Sequence, residues 1–404
     1  MTNIGGTCEP RFHAVRDQLE RNLVERGEVG ASVCVMLDGE VVVDLYGGVA
    51  DRESGRPWTE DTVSLVFSST KGATALCAHM LADRGELDLD APIAEVWPEL
   101  AKGGKERIRV GMLLDHQAGL PALRSTIPPG GLYDWQWMIH ALEDEAPFWR
   151  PGTRHGYHAL TMGYLVGEVV RRVSGRTLGT FFAEEVADPL GLDFWIGLPE
   201  SEEGRVAPII PAVPPSDPAE LGELIQVAMG DPSSIQFLVL MNSGGFLEPG
   251  ECDSRAAHAA EIPAANGITN ARGLARMYAP LALGGALGGV RLVSPEAISR
   301  MSAVRSAVAV DATLLTTTRF SLGYMKRADN RWTGIDGDSV LLAEEAFGHA
   351  GMGGSVGFAD PTLGLSFGYT MSQQGMGVGI NGRGHALIDA TYASLGLTPP
   401  GERR

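Results

Sequence analysis

Lysine is almost missing from this chain. Only Lys71, Lys102, Lys105 and Lys326 occur among 404 residues, and 32 basic residues face 50 acidic ones for a formal net charge of -18. That balance leaves no basic stripe for a phosphate backbone or an anionic bilayer, which argues against nucleic-acid and membrane partners. Cysteine is equally scarce. Cys8, Cys34, Cys77 and Cys252 lie far apart and no pair has ligand-like spacing, so no metal is expected. Cys34 and Cys77 sit in apolar runs, where a reduced thiol acts as a small hydrophobe. No uninterrupted apolar stretch reaches membrane-spanning length. The opening Met1-Thr2-Asn3-Ile4-Gly5-Gly6-Thr7-Cys8 has neither the basic start nor the apolar middle of a secretory leader. No signal peptide and a reduced, cytoplasmic setting are therefore expected. What is present, 44% hydrophobic and 20% charged residues, suits an ordinary globular protein. The length suits two domains, or one with a large insertion.

Scarcity draws attention to the one lysine in apolar company. Val66-Phe67-Ser68-Ser69-Thr70-Lys71-Gly72-Ala73-Thr74-Ala75-Leu76 passes from a strand-like run through a serine into a helix-like run. Ser68 and Lys71 are three residues apart and so share one helix face. A serine hydroxyl is a weak nucleophile until a base takes its proton, and a lysine serves once desolvation favours its neutral form. Free amides at the first helical turn favour negative charge beside Ser68. The same residues also suit an N-capping serine and a lysine whose stem snorkels to solvent. A serine three positions before one of four lysines arises by chance in roughly one such chain in four, so the spacing alone does not choose.

Along the chain, residues 10–26 carry helical periodicity, with Gly27 as a stop. Two β-rich runs, 31–37 and 41–46, flank Asp38-Gly39 and predict a hairpin. The helix after Ser68 is expected to end near Gly85. Helix-like stretches at 131–145, 159–174 and 176–189 alternate with Pro- and Gly-rich loops, the longest spanning 208–218. Helices are expected again at 266–283 and 294–301, short strands at 320–324, 347–350, 355–359 and 365–371, and a closing helix at 385–395. Strands at both ends and helices between them predict an α+β fold. In it an antiparallel sheet domain, 1–94 with 266–404, is flanked by helices, and a mainly helical domain, 95–265, is inserted.

Four islands in this order resemble the serine β-lactamase and penicillin-binding-protein superfamily, in the branch of class C β-lactamases and family VIII carboxylesterases. They are Ser68-Ser69-Thr70-Lys71; Leu113-Leu114-Asp115-His116-Gln117-Ala118-Gly119-Leu120-Pro121; Pro151-Gly152-Thr153-Arg154-His155-Gly156-Tyr157, followed by Gly163-Tyr164-Leu165-Val166-Gly167-Glu168 and Val173-Ser174-Gly175; and Gly348-His349-Ala350-Gly351-Met352-Gly353-Gly354-Ser355. Together they span about 60–360 and are far more specific than any one motif. The resemblance implies a β-lactamase/transpeptidase-like fold with the active site between the two domains. Two departures matter. Tyr157-His158-Ala159 lacks the asparagine that contacts a β-lactam amide, and His349-Ala350-Gly351 lacks the lysine that meets a substrate carboxylate. In these the chain looks more like the esterase version.

The resemblance assigns the site. Ser68 is the nucleophile, Lys71 assists its deprotonation, and Tyr157 is general base and proton relay. The backbone amides of Ser68 and Met352 form the oxyanion hole, and His349 and Gly351 contact the substrate. The implied activity is hydrolysis of short or medium-chain carboxylic esters through an acyl-enzyme, with a small-molecule ester as partner and no cofactor or metal. A β-lactamase, amide hydrolase or acyltransferase would use the same groups, and a silent binding protein could keep the fold. Two other patterns are set aside. Gly353-Gly354-Ser355-Val356-Gly357 fits a nucleophile elbow, but a strand rather than a helix is expected after Ser355. His155 and His158 are three apart, but no third ligand accompanies them.

Overall fold

The computed structural model describes residues 3–217 and 220–402. Met1 and Thr2 of the opening segment and Pro218 of the long 208–218 loop lie outside the described residues. The main sheet is built from both ends of the sequence. Its main strands are β1 (Ile4–Cys8), β2 (Gly30–Leu37), β3 (Glu40–Asp51), β4 (Phe347–Ala350), β5 (Val356–Asp360) and β6 (Leu365–Met371), with the short Arg56–Pro57 pairing on β3. They are ordered β1-β3-β2-β6-β5-β4, with every neighbouring pair antiparallel. Asp38 and Gly39 form the two-residue loop between β2 and β3 with φ of 51° and 87°, the left-handed pair that a tight hairpin requires.

Side-chain alternation gives the sheet two buried faces. Val33, Val35, Phe358, Phe367 and Tyr369 pack on one side with helices α1 (His13–Glu25) and α5 (Gly382–Ser394) through Val15, Leu19, Leu387 and Ile388. The other face carries Cys34 and Met36 and meets α4 (Ala271–Ala282) through Ala271, Ala275 and Ala279. The approach there is close: a Cβ at Gly368 would stand 2.2 Å from the carbonyl oxygen of Ala271. Behind α4 runs α2 (Thr70–Asp83), buried on every side from Thr70 to Leu81, and against it packs α3 (Thr161–Ser174). A helix with no polar face belongs in a core, which is why this stretch shows little amphipathic period.

A second, four-stranded sheet leads to the start of α2. It is ordered Phe194–Trp195, Ile268–Thr269, Val63–Leu65, Val206–Ala207, so the strand before Ser68 pairs with segments far away in sequence. This corrects the helix expected over 266–283. Ile268–Thr269 is strand, and the helix starts at Ala271, where the Asn270 side chain accepts from Gly273 N. The strand expected at 320–324 is also displaced, to Thr318–Phe320. Gly323 at φ 91° turns the chain there, where a Cβ would stand 2.3 Å from that of Ala75. The strands at 347–350 and 365–371 and the helix ending near Gly85 stand as expected. Among the described residues no single helix is long and apolar enough to cross a membrane.

Candidate active site

The chain reaches Ser68 through a strained turn. Phe67 has φ of 42°, a left-handed conformation that costs a bulky residue about 1–2 kcal/mol. The turn is held from several sides. Phe67 bridges to Asn266, and Thr70 Oγ1 accepts from Gly267 N at 2.8 Å. Ser69 Oγ, next to the candidate nucleophile, donates to the carbonyls of His349 and Ser355 at 3.2 Å each. Ser69 and Thr70 are buried, whereas Ser68 is half-buried. The segment supplies one accessible hydroxyl among fixed ones.

Lys71 lies one turn on, fully buried. Its Nζ is 2.9 Å from Ser68 Oγ, 2.6 Å from Ala159 O and 2.9 Å from Ala264 O. No carboxylate pairs with it among the described residues. Burial alone holds its proton affinity well below the usual lysine range, because a charged amine without a counter-ion is costly in an apolar interior. The snorkelling alternative therefore fails: this side chain points inward.

Tyr157 joins the pair. Lys71 Nζ stands 4.9 Å from the centre of its ring. The ring is stacked on Phe320 at 5.9 Å and meets His116 edge-on at 4.9 Å, and its backbone N donates to Asp311 Oδ1 at 3.0 Å. The hydroxyl is buried and no protein group closes a hydrogen bond of normal geometry on it. Burial pushes this phenol well above its usual range, with the Ser68 hydroxyl working the other way.

The fourth island runs alongside the serine. Gly351 donates its N–H to Ser355 O at 2.7 Å, and a Cβ on it would stand 2.1 Å from Val66 O. Glycine thus lets β4 approach the turn that carries Ser68. The Met352 side chain is half-buried at the cavity described below. Among the described residues neither the Ser68 nor the Met352 amide is spent on a protein acceptor, as an oxyanion hole requires. His349 is buried, with its ring 6.1 Å from that of Tyr157. Its Nδ1 donates to Ala350 O at 2.7 Å, leaving the Nε2 lone pair without a partner. Burial, then Lys71, brings this imidazole down to about 3, so it is neutral at physiological pH.

Ser355 is buried and donates to Val66 O at 2.9 Å, and strand β5 follows it, so this serine braces the turn. His158 donates through Nδ1 to Gly156 O and accepts at Nε2 from Leu120 N, and His155 lies 2.7 Å from Thr318 Oγ1. These two histidines tie the second and third islands into the wall behind Tyr157. Sequence reasoning quoted His116 without a role. Its ring sets the Tyr157 plane, and its Nδ1 accepts from His158 N at 3.2 Å. Asp311 was missed altogether. Burial raises it, but bonds from His155, Leu314, Tyr157 and Thr313 outweigh that and hold it below the usual carboxylate range. The Ala159 and Ala264 carbonyls were also invisible, since a backbone acceptor leaves no mark in residue identity.

Comparison with known proteins fits this geometry. The beta-lactamase family profile matches residues 16–390. The esterase/beta-lactamase LipL of Mycobacterium tuberculosis is 38% identical over 371 residues, covering 90% of this chain and 81% of LipL. The crystal structure of a family VIII carboxylesterase superposes with a TM-score of 0.86 at 38% identity, over 97% of this chain and all of that one. A penicillin-binding protein homologue from Caulobacter crescentus gives 0.85 at 39% identity, with 97% and 100% covered.

Proposed function

The chain belongs to the beta-lactamase family, and from that premise we propose that it is a serine carboxylesterase working through an acyl-enzyme on Ser68. The observation that carries the reading is the buried, counter-ion-free amine of Lys71 at 2.9 Å from Ser68 Oγ. A neutral lysine has two N–H bonds and one lone pair. The Ala159 and Ala264 carbonyls accept the two N–H bonds, which leaves the lone pair for the serine proton. Lys71 takes that proton as Ser68 Oγ bonds to the ester carbonyl carbon, and the Ser68 and Met352 amides hold the oxyanion. Tyr157, expected from the sequence to be the general base, is kept protonated by burial. In this reading Lys71 is therefore the base, and Tyr157 is the relay that passes a proton to the departing alkoxide and is recharged from Lys71. Water then attacks the acyl-serine by the same route in reverse, releasing the acid.

Esters are favoured over β-lactams by what the motifs lack. Ala159 offers a carbonyl to Lys71 but no side-chain amide to a substrate, and His349 stands where a lysine would meet a carboxylate. LipL is named for both activities, so β-lactam hydrolysis by the same serine is the second reading. We further assign 1–94 with 266–404 to a sheet domain and 95–265 to an inserted domain, and a cytoplasmic setting that suits four free thiols. The test is side-by-side turnover of a p-nitrophenyl ester and a cephalosporin. Ester hydrolysis should dominate, Ser68→Ala should abolish both, and a fluorophosphonate should label Ser68. Faster cephalosporin turnover would favour the second reading, and unlabelled Ser68 would end both.

A further inference from the structure

Beside the nucleophile turn lies a cavity of ≈ 310 Å³ that the mechanism above does not use. Phe67 and Met352 line it on the side of Ser68, and Ile209, Leu224, Leu240 and Leu247 line it elsewhere, with no lysine, arginine or histidine among its lining residues. Besides the carboxylates of Glu248 and Asp253, one polar side chain interrupts this wall. Gln374 is 7% exposed, and both its amide nitrogen and its amide oxygen are buried without a protein partner. Its backbone is firmly placed: Gln374 N donates to Ile210 O at 2.9 Å, and Gly375 N donates to Gly353 O at 2.9 Å. The amide lies against Gly353, where a Cβ would come within 1.7 Å of Oε1. It therefore sits one residue from Met352, the proposed oxyanion donor. The preceding Gln373 is the opposite case, its Nε2 donating to Pro211 O and Gln374 O at 3.1 Å each.

An orphaned buried polar group weighs against folding, and a leucine of similar size would complete the wall without that cost. Gln374 lines this cavity with both its amide donor and its amide acceptor unspent, and a residue of that kind is matched to something the ligand brings. A hydroxyl, which donates and accepts at once, answers both ends of the amide. A carboxylate would answer only one, and it would enter a cavity lined by Glu248 and Asp253 with no cation.

Resting on the Ser68 reading, we infer that Gln374 is a specificity-determining residue that hydrogen-bonds a hydroxyl on the chain entering this cavity. The preferred substrates are then uncharged hydroxylated esters rather than plain alkyl esters.

The experiment uses two matched pairs, p-nitrophenyl butyrate with p-nitrophenyl 3-hydroxybutyrate for the acyl half, and ethyl butyrate with 2-hydroxyethyl butyrate for the alcohol half. The quantity read is the ratio of kcat/KM, hydroxylated over plain, in the unmodified protein and in Gln374→Leu, with Gln374→Met as the second variant should leucine prevent folding. A fivefold or greater fall of that ratio in either pair is expected, whereas a smaller change in both pairs overturns the inference. Fluorophosphonate labelling run in parallel separates the two claims. A labelled Ser68 with an unmoved ratio defeats only the role of Gln374, and an unlabelled Ser68 defeats the nucleophile itself.

Discussion

Removing the hydroxyl of Tyr157 separates chemistry from architecture at this site. Most buried tyrosines bond through their hydroxyl, so Tyr→Phe usually loses stability. Here no protein group closes a hydrogen bond of normal geometry on Oη, and the ring is held independently by Phe320 at 5.9 Å and His116 at 4.9 Å. Leaving a buried hydroxyl unpaired costs about 1–3 kcal/mol. Deleting the oxygen forfeits only a few atomic contacts of about 0.1–0.2 kcal/mol each. Tyr157→Phe should therefore fold as stably as the parent, or gain about 1 kcal/mol. Its activity should fall steeply, because positioned acid–base groups contribute about 10²–10⁴-fold. A hundredfold loss in kcat corresponds to about 2.7 kcal/mol of barrier. The assay pairs urea unfolding, read as the midpoint at constant slope, with hydrolysis of p-nitrophenyl butyrate. A variant destabilised by more than about 1 kcal/mol that keeps kcat within threefold would show a merely structural tyrosine and refute the reasoning.

The remaining predictions concern Lys71 and Asp115. Lys71 must be neutral to act, and burial sets its proton affinity well below the usual lysine range. Activity should thus be full on the alkaline side and fall toward acid pH as the amine gains a proton. His349, at about 3, and His158, at about 4, titrate too low to set a limb near neutrality. Lys71→Arg is charged at every pH and should lose about 10³-fold in kcat; retention of a tenth of the activity would contradict the base assignment. Asp115 is pushed up by burial from 3.8 to about 6, against the pull of the Gln117 side chain, and its Oδ1 has no partner. A raised carboxyl costs nothing below its unfolded value near 4, and the cost grows as pH climbs through 6. At about 1.4 kcal/mol per unit, the full cost at pH 7 is about 3 kcal/mol. Asp115→Asn should therefore stabilise the protein by about 1–3 kcal/mol at pH 7 and by nothing near pH 4, and a gain that persists at pH 4 would exclude this cause.

Much of the fold was legible because local chemistry and global need agreed. Asp38-Gly39 can hardly be anything but a hairpin loop, and 347–350 and 365–371 are apolar runs bounded by turn residues. The errors fell where one residue outweighed the pattern. Asn270 starts its helix by capping Gly273, two residues after a β-branched pair joins a sheet from elsewhere, and Gly323 ends a run that looked continuous. At the proposed site, Ser68, Lys71 and Tyr157 could be named as candidates because each side chain carries its own chemistry. The surroundings that would make Lys71 a base could not, because two of them are carbonyls, at Ala159 and Ala264, and the decisive one is burial. Asp311 and Gln374 escaped for a related reason: a lone Asp or Gln in sequence does not show whether it will end up bonded four times or not at all.

The enclosure of Lys71 has a consequence for the life of the protein. The groups around the amine come from positions 159 and 264, and the strand closing over the serine comes from 347 onward, so reactivity is a property of the finished molecule. While the polypeptide is still being made, the same amine stands in water as an ordinary cation and the serine is inert. The hydrolase is thus armed by its own completion, and any partial unfolding that lets water reach the amine disarms it before the chain comes apart.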